Sequence, residues 1–578
     1  MKRAVIIALT ALIATTQAAP AKAGPPGAEP GRETEYVVLY KEGVNAADAR
    51  GAIHAAGGRV LKENGAVGLA TVSTTETGFT DVLRSSPLIE GIARNRSIGS
   101  VPESAPMRDA AVRKALEAEA YEKPERGERD TPSGVRPGKP APDAEPLSEL
   151  QWDMKQIHAT VEGSYKYEQG DPDVLVGILD TGVDGSHPDI APNFNRALSR
   201  NFTVDIPYDA DGNEVDGPCE EDPDHSCDDP ADVDEDGHGT HVASALASPI
   251  NQLGVAGVAP KVSIVNLRVG SDVGYFFLQP SVDALTYAAD IGIDVANMSY
   301  YIDPWLSNCA DNPADSPAAR LEQTTIIKAM QRALDYAHAR GVTLITAIGN
   351  QFADLSKDYV DTFSPNFVRV PGEAPYSRTI TPDCSIMPVE GNHVIRVSGT
   401  GISERKAYGS NYGNGSVDLA APGGDTYDTP DNTRDTTKAV LAAYPKALAE
   451  KNGELNPDGT PSVARVVRDC KGTVCAYYQY LQGTSMASPH AAGVAALIVS
   501  KYGHRDPKRG GKTLDPAVVE AMLKATAIKK DCPTPAAYTY VRHLPSGETV
   551  TVTHVCEGNR LRNGFYGYGI VDAFRAVR

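Results

Sequence analysis

Three short segments of this chain hold residue types that together could build an activated nucleophile. Asp180 closes the run VLVGILD, His238 stands in DGHGTHVAS, and Ser485 stands in LQGTSMASPHAAGVAALI. A serine hydroxyl attacks a carbonyl poorly until a base takes its proton. A neutral imidazole does that near pH 7. An aspartate on the other ring nitrogen orients the imidazole and stabilises the imidazolium that forms. The chemistry on offer is acyl transfer, and its oxyanion needs N–H donors. Ser485 precedes an apolar helical run, which puts its backbone N–H at a helix N-terminus, where developing negative charge is favoured. Taken singly, each residue has a plainer reading: the serine as a helix cap, the aspartate as a cap after a strand, the histidine as a surface or core residue.

Such groups must be held by a framework, and the hydrophobic pattern predicts one. Short apolar runs occur at 174–180, 262–269, 294–299, 342–350 and 393–399. Each has the length of a strand buried on both faces. Helical stretches follow His238, fill 282–291 and 321–340, and follow Ser485. Alternating strands and helices predict an α/β fold, a doubly wound, mostly parallel sheet with helices on both faces. Catalytic groups of such sheets gather at the carboxyl ends of the strands. Asp180 ends one strand and Asn350 ends another. Upstream, residues 35–98 read strand, helix, strands, helix, strand, a small α+β ferredoxin-like domain. Residues 99–150 are rich in Pro, Glu, Arg and Asp and read as a flexible linker with one short helix near 108–121. The large domain is expected over 151–578.

The chain has 578 residues, too many for one core. Its formal charge of −20 argues against non-specific nucleic-acid binding, because the phosphate backbone is repelled. Lys2 and Arg3, an apolar run to Ala14 and the small-x-small step Ala21-Lys22-Ala23 predict a signal peptide over 1–23. Secretion follows, with no membrane attachment once that segment is removed. The eight cysteines suit an oxidising compartment. Nearness in sequence pairs Cys219 with Cys227, Cys470 with Cys475, and Cys532 with Cys556 across a hairpin-like segment, and leaves Cys309 with Cys384. Eight cysteines allow about 105 pairings. No C-x2-C spacing supports zinc.

The three segments resemble the active-site motifs of the subtilase family, in that family's order Asp, His, Ser. The resemblance runs from about residue 150 to the C-terminus and includes the closing YGYGIVDAFRAV; residues 35–98 resemble the family's inhibitory pro-domain. It implies a serine endopeptidase made as a self-processed precursor, cut between residues 98 and 150. Polypeptide substrates and its own pro-domain are the implied partners, and the chain is expected to be a monomer needing no cofactor for chemistry. The family places an oxyanion-binding Asn in a G-N step after a strand, which Asn350 matches in AIGN. Substrate would lie extended against Ser299 of the NMS segment and against Ala347, Ile348 and Gly349, with Gln351 nearby. Relatives continue NMS with Leu-Gly-Gly; here Tyr300, Tyr301 and Ile302 follow, and tyrosine forbids the close approach that glycine allows.

Asp189 and Asn251, with carbonyls of Leu253 and Val255, match positions that hold a structural calcium in many relatives; that ion and a plain surface loop are the two alternatives. The acidic insertion at 203–236 could take a second cation, but lacks full EF-hand spacing, so a solvated loop clipped by Cys219–Cys227 is preferred. His241 of HGTH lacks the glutamate and the spacing of zinc proteases and reads as structural. GTSMA is not the G-x-S-x-G of α/β-hydrolases. The intact DGHGTH argues against serine-carboxyl peptidases, which use an acidic base. The alternative function is a non-catalytic secreted binding protein that keeps the fold.

Overall fold

The computed structural model describes residues 33–95, 140–141, 143–208, 214–222, 225–362, 364–365, 377–507 and 511–578. The expected signal peptide, most of the 98–150 segment in which the maturation cut is expected, most of the expected linker and its short helix lie outside these residues.

The first unit runs β1 (Thr34–Tyr40), α1 (Ala46–Ala55), β2 (Arg59–Asn64), β3 (Leu69–Thr74), α2 (Phe79–Arg84) and β4 (Ile89–Arg94). Asn45 caps α1 by accepting from the Ala47 N–H. The sheet order is β2-β3-β1-β4, with every pair antiparallel. One face packs on its own two helices through Val38, Ile53, Val72, Phe79 and Leu83. The other face sends Val37, Leu39 and Leu69 into the core of the large domain.

The large domain is built on seven parallel strands: β5 (Leu175–Asp180), β6 (Arg200–Asn201), β7 (Ser263–Arg268), β8 (Val295–Met298), β9 (Thr343–Ala347), β10 (Val394–Thr400) and β11 (Leu419–Pro422). Their order is β11-β10-β9-β8-β5-β7-β6. Helix α3 (His238–Ala247) and helix α6 (Thr484–Tyr502) cover one face. Helices α4 (Leu278–Ile291) and α5 (Pro317–His338) cover the other and carry the first unit. Local signals set the ends of these helices. Ser316 caps α5 ahead of Pro317, and Gly292 ends α4 at φ 82°. Helix α6 is buried on nearly all sides, so its sequence is apolar all round.

The sheet confirms the parallel α/β expectation, and the four expected disulfides are all present. One boundary is corrected. Residues 143–150 were expected to be linker, yet Glu145 and Leu147 are buried against the large domain. The Glu145 carboxylate accepts from the N–H groups of Gln252 and Leu253, and the Leu147 N–H donates to Gly254. Polar composition hid this because a buried carboxylate with two dedicated N–H donors reads, in sequence, like any solvated one.

Candidate active site

The ends of β5 and α3 meet first. Asp180 is fully buried, and its Oδ1 accepts from the Thr181 N–H at 2.8 Å and from His238 Nδ1 at 2.7 Å. Helix α3 lies against the turn after β5 so closely that only glycine fits at its second position. A Cβ on Gly239 would meet the Gly182 carbonyl oxygen at 2.0 Å. Asp234, fully buried, ties the same corner. Its carboxylate accepts from the Gly237 N–H, from the Thr240 N–H and hydroxyl, and from the Thr181 hydroxyl. These bonds satisfy N–H groups that every helix start leaves over. Behind them, Arg268 ends β7 beside Asp180, donates to the Thr181 carbonyl at 2.8 Å, and forms ion pairs with Asp205, Asp229 and Asp272.

Ser485 enters from the other side, in the first turn of α6. Pro489 lacks the N–H that would bond the Ser485 carbonyl in a regular helix. The Ser299 hydroxyl donates there instead, at 3.2 Å. Asn297 supports Ser299 by donating to its Oγ at 3.0 Å and accepts from the Ser488 hydroxyl at 2.6 Å. The NMS segment therefore clamps the helix start, and Ser485 Oγ lies 3.5 Å from the Ser299 carbonyl.

Asn350 follows β9. Its Oδ1 accepts from the Thr484 N–H at 2.9 Å and from the Thr484 hydroxyl at 3.1 Å. With the oxygen end accepting from Thr484, the NH2 end of the amide carries the donors. The turn itself is held by Asn411, a residue the sequence did not single out. Asn411 is fully buried, donates to the Ile348 carbonyl and the Gln351 side chain, and accepts from the N–H groups of Gln351 and Ala353.

Thr181, His238, Ser299, Tyr300, Tyr301, Ala347, Gly349, Asn350, Gln351 and Ser485 line one cleft of about 300 Å³. Tyr300 stacks on Phe276 with ring centroids 4.4 Å apart. Tyr301 packs with Leu306, Ile386 and Val389, which add an apolar wall unforeseen in the sequence. Ile348 is a correction. It does not line the cleft but is fully buried in that same apolar cluster. Adjacent side chains at the end of β9 alternate faces, so with Ala347 toward the cleft Ile348 points away, while Gly349, at φ 101°, has already left the strand.

His241 is structural, as expected. It is fully buried, and its Nε2 lies 3.1 Å from the Val440 carbonyl and 3.2 Å from that of Gln479. Burial holds its pKa down to about 3. An unfolded histidine titrates near ~6.5, so below that pH the unfolded chain binds the extra proton. Stability should therefore fall as pH drops from about 6.5 toward 3, by up to roughly 1.4 kcal/mol per pH unit from this residue. Denaturant midpoints measured across that range should flatten in His241→Gln; an unchanged slope would refute the assignment.

The calcium expectation meets a different surrounding. A cation at Asp189 needs oxygen lone pairs turned inward. Instead Asp189 accepts from the Asn251 NH2 at 2.9 Å, the Val255 N–H at 3.2 Å and the Tyr478 hydroxyl at 3.1 Å. The Leu253 N–H is turned to Glu145, and Lys471 reaches the Asn251 carbonyl at 2.7 Å. Burial raises the Asp189 carboxyl well above the usual carboxylate range. Donors hold the Asp189 loop, and Asn251 Oδ1 is buried with no hydrogen-bond partner among the described residues; Asp189, Asn251 and the carbonyls of Leu253 and Val255 are the residues that would hold a structural calcium.

The comparisons agree with this geometry. The family model described as "Subtilase family" matches residues 171–569. Subtilisin DY of Bacillus licheniformis is 26% identical over 355 residues, 61% of this chain and 83% of that protein. The nisin leader peptide-processing serine protease NisP of Lactococcus lactis subsp. lactis is 27% identical over 365 residues, 62% of this chain and 45% of that protein. Among solved structures, the epidermin leader peptide processing serine protease EpiP of Staphylococcus aureus is 19% identical, with a TM-score of 0.59 over 94% of this chain and 98% of that one. Fervidolysin of Fervidobacterium pennivorans is 18% identical, with a TM-score of 0.54 over 94% of this chain and 61% of that one. The chain belongs to the subtilase family and is a serine-type endopeptidase.

Proposed function

We propose that the chain is a secreted endopeptidase, made as a zymogen, that cuts peptide bonds through an acyl-enzyme on Ser485. The observation that carries this is the 2.7 Å contact between His238 Nδ1 and Asp180, with His238, Ser485 and Asn350 on the walls of one cleft. Ser485 Oγ attacks the carbonyl as His238 takes its proton. Asp180 stabilises the imidazolium, and the Ser485 N–H and the Asn350 NH2 hold the oxyanion. His238 then protonates the leaving amine, and water repeats the sequence on the ester. No step requires a cofactor. A phosphonylating serine-hydrolase probe should place one adduct on Ser485. A folded chain that stays unlabelled with its cleft open would instead favour a binding protein that keeps the fold.

Asn350→Ala should lower kcat about 10²–10³-fold with little change in KM, because the amide serves an oxyanion present only in the transition state. A rise in KM at constant kcat would assign Asn350 to substrate binding.

The N-terminal domain supports the zymogen reading. Its β-α-β-β-α-β order with sheet order β2-β3-β1-β4 supports a ferredoxin-like pro-domain. It docks on α4 and α5: Asn64 donates to Asp283 and Thr286, Lys62 pairs with Asp283, and Arg332 donates to the carbonyls of Tyr40 and Val67. Those helices cover one face of a parallel sheet, the kind of topology that searches slowly for its fold. Removal of residues 24–142 should therefore slow refolding, and the domain added in trans should restore the rate. An equal rate without it would remove the folding role. Secretion is supported by the signal-like N-terminus and by four disulfides.

A further inference from the structure

Asn350 sits in a turn, residues 348–353, that its own backbone does not favour. Gly349 and Phe352 both lie in the left-handed region, at φ 101° and 59°, and a bulky side chain is rare there. The neighbouring segment 409–412 holds the turn in place. The Phe352 N–H donates to the Gly409 carbonyl at 3.1 Å, the Asn411 N–H to that of Gly349 at 2.8 Å and the Tyr412 N–H to that of Ala353 at 2.9 Å. Between these backbone bonds the Asn411 side chain supplies four more. Its NH2 group donates to the Ile348 carbonyl at 3.0 Å and to Gln351 Oε1 at 2.8 Å, and its Oδ1 accepts from the N–H groups of Gln351 and Ala353, each at 3.0 Å. An amide offers two donors and two acceptor lone pairs, and here all of them go to the turn on either side of Asn350. Asn411 is fully buried and does not line the cleft.

We propose that Asn411 is a positioning residue of the oxyanion site: it fixes the backbone from which the Asn350 amide reaches the cleft. The proposal rests on the reading of Asn350 as an oxyanion donor. Two anchors then hold that donor. Thr484 donates to Asn350 Oδ1 and fixes the tip of the amide, while Asn411 fixes its base. A preorganised donor acts only while it stays close to the position where charge develops, so a turn released by one substitution loses transition-state stabilisation while ground-state binding persists. Asn411 is itself braced. The Ser410 hydroxyl donates to its carbonyl at 2.8 Å, and the buried Lys406 Nζ donates to the Ser410 carbonyl at 2.6 Å. A Cβ added to Gly349 would meet Gln351 Oε1 at 2.6 Å and Asn411 Nδ2 at 2.7 Å, so the turn closes directly on the Asn411 amide.

The test is a double-mutant cycle on the secreted enzyme, with kcat and KM measured on one peptide substrate and active sites counted by phosphonate labelling. Asn411→Ala should lower kcat about 10–100-fold with KM nearly unchanged. In the Asn350→Ala background the same substitution should lower kcat less than about twofold, because the donor it positions is already gone. An equal loss in both backgrounds would make Asn411 a general scaffold residue and overturn the proposal. So would an unchanged kcat in Asn411→Ala, or a change confined to KM. A normal kcat in Asn350→Ala would instead remove the oxyanion reading on which the proposal rests. If Asn411→Ala lacks a native near-UV circular dichroism spectrum, Asn411→Ser enters the same cycle, since a hydroxyl keeps a donor and an acceptor inside the turn. Loss of the fold in both variants would also overturn the proposal.

Discussion

Ser485→Ala should abolish peptide hydrolysis, by about six orders of magnitude in kcat, and the secreted chain should accumulate at its uncut mass. The size follows from the loss of the only group that can form the covalent intermediate; what remains is oxyanion binding and substrate positioning. The substitution should be structurally mild. Helix α6 is anchored through backbone and neighbouring groups: the Ser299 hydroxyl on the Ser485 carbonyl, and Thr484 on Asn350. Intact mass separates two steps that an activity assay merges. An uncut mutant beside a shortened wild type makes Ser485 responsible for maturation. A mutant shortened at the same position would assign the cut to another protease and remove self-processing, even with activity lost.

Asp180→Asn should lower kcat about 10⁴-fold while the fold persists. Asp180 Oδ1 accepts two N–H groups, from Thr181 and from His238 Nδ1. Its Oδ2 is buried and has no partner among the described residues. An asparagine must choose. With its oxygen in place of Oδ1, its NH2 group is buried without an acceptor. With the NH2 group there, it faces the Thr181 N–H and drives the imidazole into the tautomer that cannot take the Ser485 proton. Either choice removes the negative charge that stabilises the imidazolium. A kcat within tenfold of wild type would mean that Asp180 only caps the turn.

Much of the candidate site was legible because its signals are local. Strands β5, β7, β8, β9 and β10 follow apolar runs of the right length. Helices α3 and α6 start where glycine and small polar residues precede apolar stretches. Asp180, His238, Ser485 and Asn350 sit at the junctions those patterns predict. The disulfides were legible for a similar reason: two pairs span only 8 and 5 residues. Ile348 was misplaced because a motif names neighbours in sequence, while strand alternation sends adjacent side chains to opposite faces.

The sequence by itself determined the α/β class, the strand–helix order and the reactive groups, since periodicity, caps and motifs are short-range properties. Only the tertiary structure decided which polar residues became internal. Asn411 reaches the Asn350 turn across 60 positions, and Tyr478 reaches Asp189 across 289. Arg268 draws Asp205, Asp229 and Asp272 into the interior behind the catalytic corner. A carboxylate or amide looks the same in sequence whether it faces water or a buried donor. Its free energy depends on burial and on partners far along the chain, and those exist only once the sheet has been assembled.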